Sequence, residues 1–213
     1  MTRHQPIPLA GSTLGEHRHV CAFFETADDE YRVMFPFYLD AAQRGERAVV
    51  IMPRSRTDVR ERLRGAGVDV DAPRRQFELL CSEDVYSSDG RLNVGTMLAR
   101  ISAAFADGRA LGYELTRVAG HGERSLISTR DVDGFLEYEA RLNDLVAEGP
   151  DPVICLYDIH QISAGMAFEV LRSHPMTIVG GVLQINPFFE PPALLLERLR
   201  ARASARREHP VMA

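Results

Sequence analysis

The sequence predicts an α/β fold: three layers, with a mostly parallel sheet covered by helices on both faces and a C-terminal β-hairpin. Three observations carry this. Short β-branched and apolar runs such as Val49-Val50-Ile51 and Val153-Ile154-Cys155-Leu156 recur along the 213 residues, and they are continuous rather than alternating, as in strands buried on both faces. They alternate with longer stretches whose apolar residues fall at helical spacing, the pattern of successive βα units. Near the end, Thr177-Ile178-Val179-Gly180-Gly181-Val182-Leu183-Gln184-Ile185 sets a Gly-Gly pair between two strand-like runs, the chemistry of a tight hairpin turn.

In chain order, residues 1 to 16 read as an irregular leader. The first strand spans about 18 to 24 and ends in Glu25. Asp28-Asp29-Glu30 then open a helix to Gln43, acids in a first turn being favoured by the helix dipole. Pro36 kinks or restarts that helix, and Gly45 ends it. Arg47 to Met52 is the next buried strand, Thr57 to Arg64 a short polar helix stopped by Gly65 and Gly67, and Gln76 to Cys81 a third strand. Leu92 to Ala106 carries Leu92, Met97, Leu98, Ile101 and Phe105 near helical spacing, and Leu111 to Val118 alternates as a strand. Asp131 to Ala147 is the clearest amphipathic helix, its stripe being Val132, Phe135, Leu136, Leu142, Leu145 and Val146. A strand over 153 to 158, a helix from Ser163 to Arg172, the hairpin, and a basic helix from Pro192 to about Arg207 complete the chain.

Hydrophobic and charged fractions of 45% and 26% are those of an ordinary soluble globular protein. With no Pro/Ser/Gly linker in sight, one domain is expected over residues 17 to 190, followed by a basic C-terminal helix and tail over 191 to 213. A net charge of -5 argues against nucleic-acid binding over the whole surface. Cys21, Cys81 and Cys155 each sit in an apolar, strand-like run, and the start of the chain lacks a signal-type hydrophobic region, so the expected location is cytoplasmic with reduced thiols. No apolar run approaches the roughly 20 residues of a membrane span.

In open α/β sheets, ligands gather beyond the carboxyl ends of the strands. Val153 to Tyr157 breaks there into Asp158 and His160, and the first strand ends in Phe24 and Glu25. The expected ligand site is therefore Phe24, Glu25, Arg54, Arg117, Tyr157, Asp158 and His160. Asp158 reads equally as a partner of His160 or as a loop-capping residue. Glu139 falls on the apolar stripe of its helix, where an unpaired carboxylate is costly. It needs a partner, and Glu114 and Arg117 are the expected members of a buried polar cluster around it. His19, Cys21 and Cys155 are zinc-ligand types on neighbouring strands, and buried core residues on the plainer reading. His174-Pro175 reads as a helix end before an extended segment, with a ligand role for His174 as the alternative.

Two chemistries are excluded. A nucleotide-binding version of this architecture places a glycine-rich loop and a lysine after the first strand. That place holds Glu25-Thr26-Ala27-Asp28-Asp29-Glu30, whose carboxylates repel phosphate, and Gly11-Ser12-Thr13-Leu14-Gly15 precedes the strand and lacks the following Lys-Ser/Thr. No Gly-x-Ser-x-Gly elbow is present either, so no catalytic residue is named. The basic run Glu197-Arg198-Leu199-Arg200-Ala201-Arg202 reads as a partner-binding helix or as a solvated helix packing only its leucines.

Several of these pieces, in their order and spacing, resemble the MEDS family, the sensory domain of DcmR-like bacterial regulators. They are His19-Val20-Cys21-Ala22-Phe23-Phe24, Phe35-Pro36-Phe37 with Gly45-Glu46-Arg47, Tyr138-Glu139, Cys155-Leu156-Tyr157-Asp158, and His174-Pro175 with Gly180-Gly181 and Asn186-Pro187-Phe188. The resemblance spans about residues 17 to 190. It implies a relative of RecA/KaiC-type ATPases that has lost its phosphate loop, and a role in sensing small organic molecules in signal transduction. It carries over no catalytic residues. The expectation is thus a non-enzymatic sensory domain in transcription regulation, binding a small organic ligand at the carboxyl edge and signalling to a regulatory protein partner or output domain. No cofactor and no direct contact with nucleic acid or membrane is expected, and assembly into a homo-oligomer is left open. Two alternatives stand beside it: a metal- or thiol-based redox sensor using His19, Cys21 and Cys155, and an interaction module acting through the C-terminal helix.

Overall fold

The computed structural model describes residues 6–55, 58–86, 92–122 and 131–208. The elements run β1 (Ile7–Leu9), β2 (Ser12–Leu14), β3 (His19–Phe24), α1 (Ala27–Arg44), β4 (Arg47–Met52), α2 (Asp58–Gly65), β5 (Phe77–Cys81), α3 (Ser82–Tyr86) and α4 (Val94–Ala110). They continue with β6 (Thr116–His121), α5 (Val132–Ala147), β7 (Val153–Asp158), α6 (Ala164–Ser173), β8 (Met176–Val179), β9 (Val182–Ile185) and α7 (Pro192–Glu208). Seven strands pair in the order β5-β4-β6-β7-β3-β8-β9. Every pairing among them is parallel except β8 with β9. The three-layer, mostly parallel architecture with a closing hairpin is what the continuous apolar runs and the Gly-Gly pair predicted. Gly180 and Gly181 both take positive φ, 58° and 76°, the backbone this turn requires.

Side-chain alternation along each strand divides the interior into two cores. On one face Val20, Ala22, Phe24, Val50, Ile154 and Leu156 pack with Met34, Phe37 and Ala41 of α1 and with Leu63 of α2. On the other, Cys21, Val49, Ile51, Val118, Cys155 and Tyr157 pack with Ile101 of α4, Phe135 and Leu142 of α5, Val170 of α6 and Leu195 of α7. No helix among the described residues is long and apolar enough to cross a membrane.

Helix α1 has the ends its sequence promised. Thr26 Oγ1 accepts from the Asp29 backbone N–H at 3.1 Å, and Gly45 closes the helix in the left-handed region at φ 68°. Pro36 lies inside it without ending it.

Three stretches differ from expectation. Residues 7–14 form an antiparallel hairpin instead of an irregular leader, and Ile7, Leu9 and Leu14 are buried in the α1-side core. Strand β6 begins at Thr116, later than the alternation of 111 to 118 suggested. The backbone of 111–113 is spent closing α4: the Leu111, Gly112 and Tyr113 N–H groups donate to Asp107, Arg109 and Gly108 carbonyls. The basic face of α7 is folded against the body. Arg198 and Arg202 pair with Glu169, Arg206 pairs with Asp133, and Leu195 and Leu199 are buried. Residues 209–213 of the expected tail lie outside the described residues.

Candidate functional site

Beneath the sheet on the α5 side lies a polar centre of four residues. His19 is the first residue of β3, and Cys155 is the third of β7, two positions from His19 along the paired strands. Glu139 reaches down from the middle of α5, and His174 caps the end of α6. Because β8 pairs with β3 on the side away from β7, the residue leading into β8 arrives beside the start of β3. His19, Glu139, Cys155 and His174 are 1%, 0%, 5% and 0% exposed, so the centre is sealed from bulk water. Glu139 Oε2 lies 3.2 Å from His19 Nε2, 3.4 Å from His174 Nε2 and 3.7 Å from Cys155 Sγ. Cys155 Sγ is 3.5 Å from His19 Nε2.

The surrounding hydrogen bonds decide which ring nitrogens carry protons. Asn143 Nδ2 donates to the Ser173 carbonyl at 2.7 Å and the Glu139 carbonyl at 3.0 Å, which turns its Oδ1 to His19 Nδ1 at 3.0 Å. An amide oxygen only accepts, so His19 Nδ1 bears the hydrogen. His174 Nδ1 faces the Val170 carbonyl at 2.8 Å and therefore also donates. Each imidazole thus turns Nε2 towards the carboxylate, and His174 Nε2 is buried with no hydrogen-bond partner. Tyr157 donates its hydroxyl to Glu139 Oε1 at 2.8 Å, leaving Oε2 for the centre.

Burial drives His19 below the ordinary imidazole value, with His174 adding to that and Glu139 opposing it. Burial by itself would raise Glu139, and the two imidazoles outweigh it and hold the carboxyl below its usual range. Burial pushes the Cys21 thiol up to about 12 and the Tyr157 hydroxyl well above its ordinary value, so both keep their protons.

The seven residues expected at the carboxyl edge are not gathered into one cavity. Phe24 and Tyr157 are buried on opposite faces of the sheet, since Phe24 is in register with Asp158 and Phe23 with Tyr157. Tyr157 belongs to the polar centre. Asp158 Oδ1 accepts from the His160 backbone N–H at 2.9 Å, the loop-capping role, while Glu25 and the His160 ring are exposed. Arg54 is exposed and pairs with Asp84 at 3.1 Å.

Arg117 stands near the start of β6, the opposite edge. It is buried on the α1 face, with Nε donating to Glu46 at 2.6 Å, one terminal nitrogen to Asp40 at 2.5 Å and the other to the Phe37 carbonyl at 2.9 Å. Glu139 lies on the other face, so Arg117 is not its partner, and Glu114 is exposed in the turn before β6. Cys21 sits beside the centre, its thiol 3.5 Å from Thr177 Oγ1. Sequence reasoning weighed a ligand role for His174 but did not join it to Glu139, His19 and Cys155, because its only local signal, His-Pro after a helix, suits a helix end.

A second feature lies between α4 and the β5-β4-β6 side of the sheet: a cleft of about 510 Å³. Its floor is Val49, Ile51 and Val118, and its walls include Leu80, Val85, Ile101 and Ala104, with Arg100 and Asp84 among its polar groups. Arg100 is held by the Asp84 carbonyl and by the Val85 carbonyl at 2.6 Å. The volume and mostly apolar lining are those of small-ligand cavities. Arg54, one of the seven expected residues, reaches its rim through Asp84.

Residues 18–175, well over half the chain, match the family described as MEDS, the methanogen/methylotroph, DcmR sensory domain. Among curated proteins none matches the sequence. Among solved structures the chain is similar to the KaiC-like protein PH0186 from Pyrococcus horikoshii OT3, with a TM-score of 0.54 at 17% identity, covering 79% of this chain and 74% of that one. A looser likeness is to the flagellar accessory protein FlaH from Methanocaldococcus jannaschii, with a TM-score of 0.47 at 7% identity, covering 79% and 75%. At 17% identity the likeness to the KaiC-like protein shows a shared fold.

Proposed function

Because the chain belongs to the MEDS family of sensory domains, we propose that it is a non-enzymatic signal-transduction domain that binds a small, largely apolar organic molecule in the cleft between α4 and the sheet. The cleft carries this reading. It offers apolar area for affinity and a few polar groups for orientation, whereas the residues expected at the carboxyl edge are split between two faces and the surface. Binding there signals only if the ligand favours one arrangement of the cleft walls over another by a real free-energy difference. The wall formed by α3 and α4 is the element through which a regulatory partner or output domain would read that difference.

The start of α1 supports the non-enzymatic part. Where a nucleotide hydrolase offers free backbone N–H groups to phosphate, the Asp29 N–H is taken by Thr26 Oγ1 and the Glu30 N–H by the Thr26 carbonyl. Asp28, Asp29 and Glu30 fill that first turn with negative charge.

Thermal-shift titration with short-chain alcohols, ketones and carboxylic acids, on the wild type and on a folded Ala104→Trp variant that fills the cleft, tests the proposal. One ligand class should raise the melting temperature of the wild type and leave the variant unmoved. Stabilisation that persists in the variant, or none from any class, would overturn it.

A further inference from the structure

We infer that His19 Nε2, His174 Nε2, Glu139 Oε2 and Cys155 Sγ together bind one divalent transition-metal ion with zinc-like preferences. The four donor atoms all lie within 4.8 Å of one another. A tetrahedral zinc with bonds of about 2.0 Å to nitrogen and oxygen and about 2.3 Å to sulfur separates its donors by about 3.3 to 3.6 Å. The separations of 3.2, 3.4, 3.5 and 3.7 Å among these atoms fall around that range.

The donor chemistry points the same way. Two imidazoles that donate through Nδ1, to Asn143 and to the Val170 carbonyl, both turn Nε2 to the same carboxylate oxygen, a convergence of three donor atoms that suits one cation held between them. Metal-ligating histidines characteristically donate their other N–H to a carbonyl or carboxylate group, and ligating carboxylates are themselves hydrogen-bonded. Asn143, Val170 and Tyr157 fill those supporting places. Charge also balances. A dication, one carboxylate, one thiolate and two neutral imidazoles sum to zero, which a sealed interior tolerates where a lone carboxylate is costly. The Cys155 thiol gives up its proton to solvent as the sulfur–metal bond forms.

A cavity of about 220 Å³ at the amino edge of the sheet is lined by His17, His19, Asn143 and Pro175, so the buried centre lies just behind a surface depression on its His19 side. Once bound, it would tie β3, β7, α5 and the α6–β8 junction together. This site is separate from the α4 cleft, and either proposal stands if the other fails.

Metal analysis of the purified chain, chelation, and reconstitution with Co²⁺ test the assignment. About one equivalent of metal per chain is expected after gel filtration, with a lower melting temperature on chelation. The Co²⁺ form should show the absorption of a tetrahedral centre and a thiolate-to-metal charge-transfer band that Cys155→Ala abolishes. Asn143→Ala, which removes no ligand but takes away the acceptor of His19 Nδ1–H along with the amide's bonds to the Ser173 and Glu139 carbonyls, should weaken Co²⁺ affinity about 10- to 100-fold. A folded wild-type chain that takes up neither Zn²⁺ nor Co²⁺ would leave the centre as an imidazolium–carboxylate cluster and overturn the inference. So would a charge-transfer band that survives Cys155→Ala.

Discussion

Arg117 and Glu139 are both charged residues in otherwise apolar runs, and each had to find a counter-charge or pay several kcal/mol for burial. The need was legible in the sequence; the pairing was not. They sit on opposite faces of the sheet, and Glu139 finds its partners in His19 and His174, residues 155 positions apart in the chain that meet only because β8 lies beside β3. Arg117 instead binds Glu46 and Asp40 and rests over the Phe37 ring, 4.8 Å from its centre. Replacing Arg117 by Ala leaves two acids facing an emptied interior, and urea denaturation should show a loss of about 3 to 5 kcal/mol. A loss under about 1 kcal/mol would contradict the pairing described here. The same triad sets an acid limit. Burial pushes the Asp40 carboxyl up, and Arg117 and Arg44 outweigh it, holding it below the ordinary value. Its contribution is therefore full above the unfolded value of about 3.9 and disappears as pH falls through the lower folded value. Arg117→Ala should flatten the acid limb of a melting-temperature profile below about pH 4, and an unchanged limb would count against this origin.

At the scale of elements, continuous apolar strands and helices with clear ends were readable, because propensity, period and caps agree there. The capped start of α1 at Thr26 and its Gly45 stop are two such places. The departures have local causes. Residues 111–113 look extended in pattern yet are consumed in the turn that ends α4. The hairpin of β1 and β2 has strands of three residues each, too short for a periodic signal, and it is held by tertiary burial. Leu14 is fully buried there, so Leu14→Ala should cost about 2 to 5 kcal/mol in chemical denaturation. A cost below about 0.5 kcal/mol would mean that the segment is not docked. The arginines of α7 were legible as a basic face, but their pairing with Glu169, Glu190 and Asp133 depends on the tertiary position of the helix. That pairing leaves less of the face available to a partner than the sequence suggested.

The whole molecule joins a mostly parallel sheet, of the fold shared with the KaiC-like protein, to a first helix whose N-terminus is capped by its own threonine and lined with acids. The fold was readable from strand and helix alternation and from the family's spaced motifs. The cleft was not, because its floor from β4 and β6 and its wall from α4 are brought together by strand order alone. The proposed non-enzymatic sensory role requires that the start of α1 hold no phosphate and that binding occur elsewhere. Equilibrium titration of the purified chain with ATP and Mg²⁺ tests this most directly. The account predicts no saturable binding and no phosphate release at millimolar nucleotide. Saturable binding in the micromolar range, dependent on Mg²⁺, would contradict it.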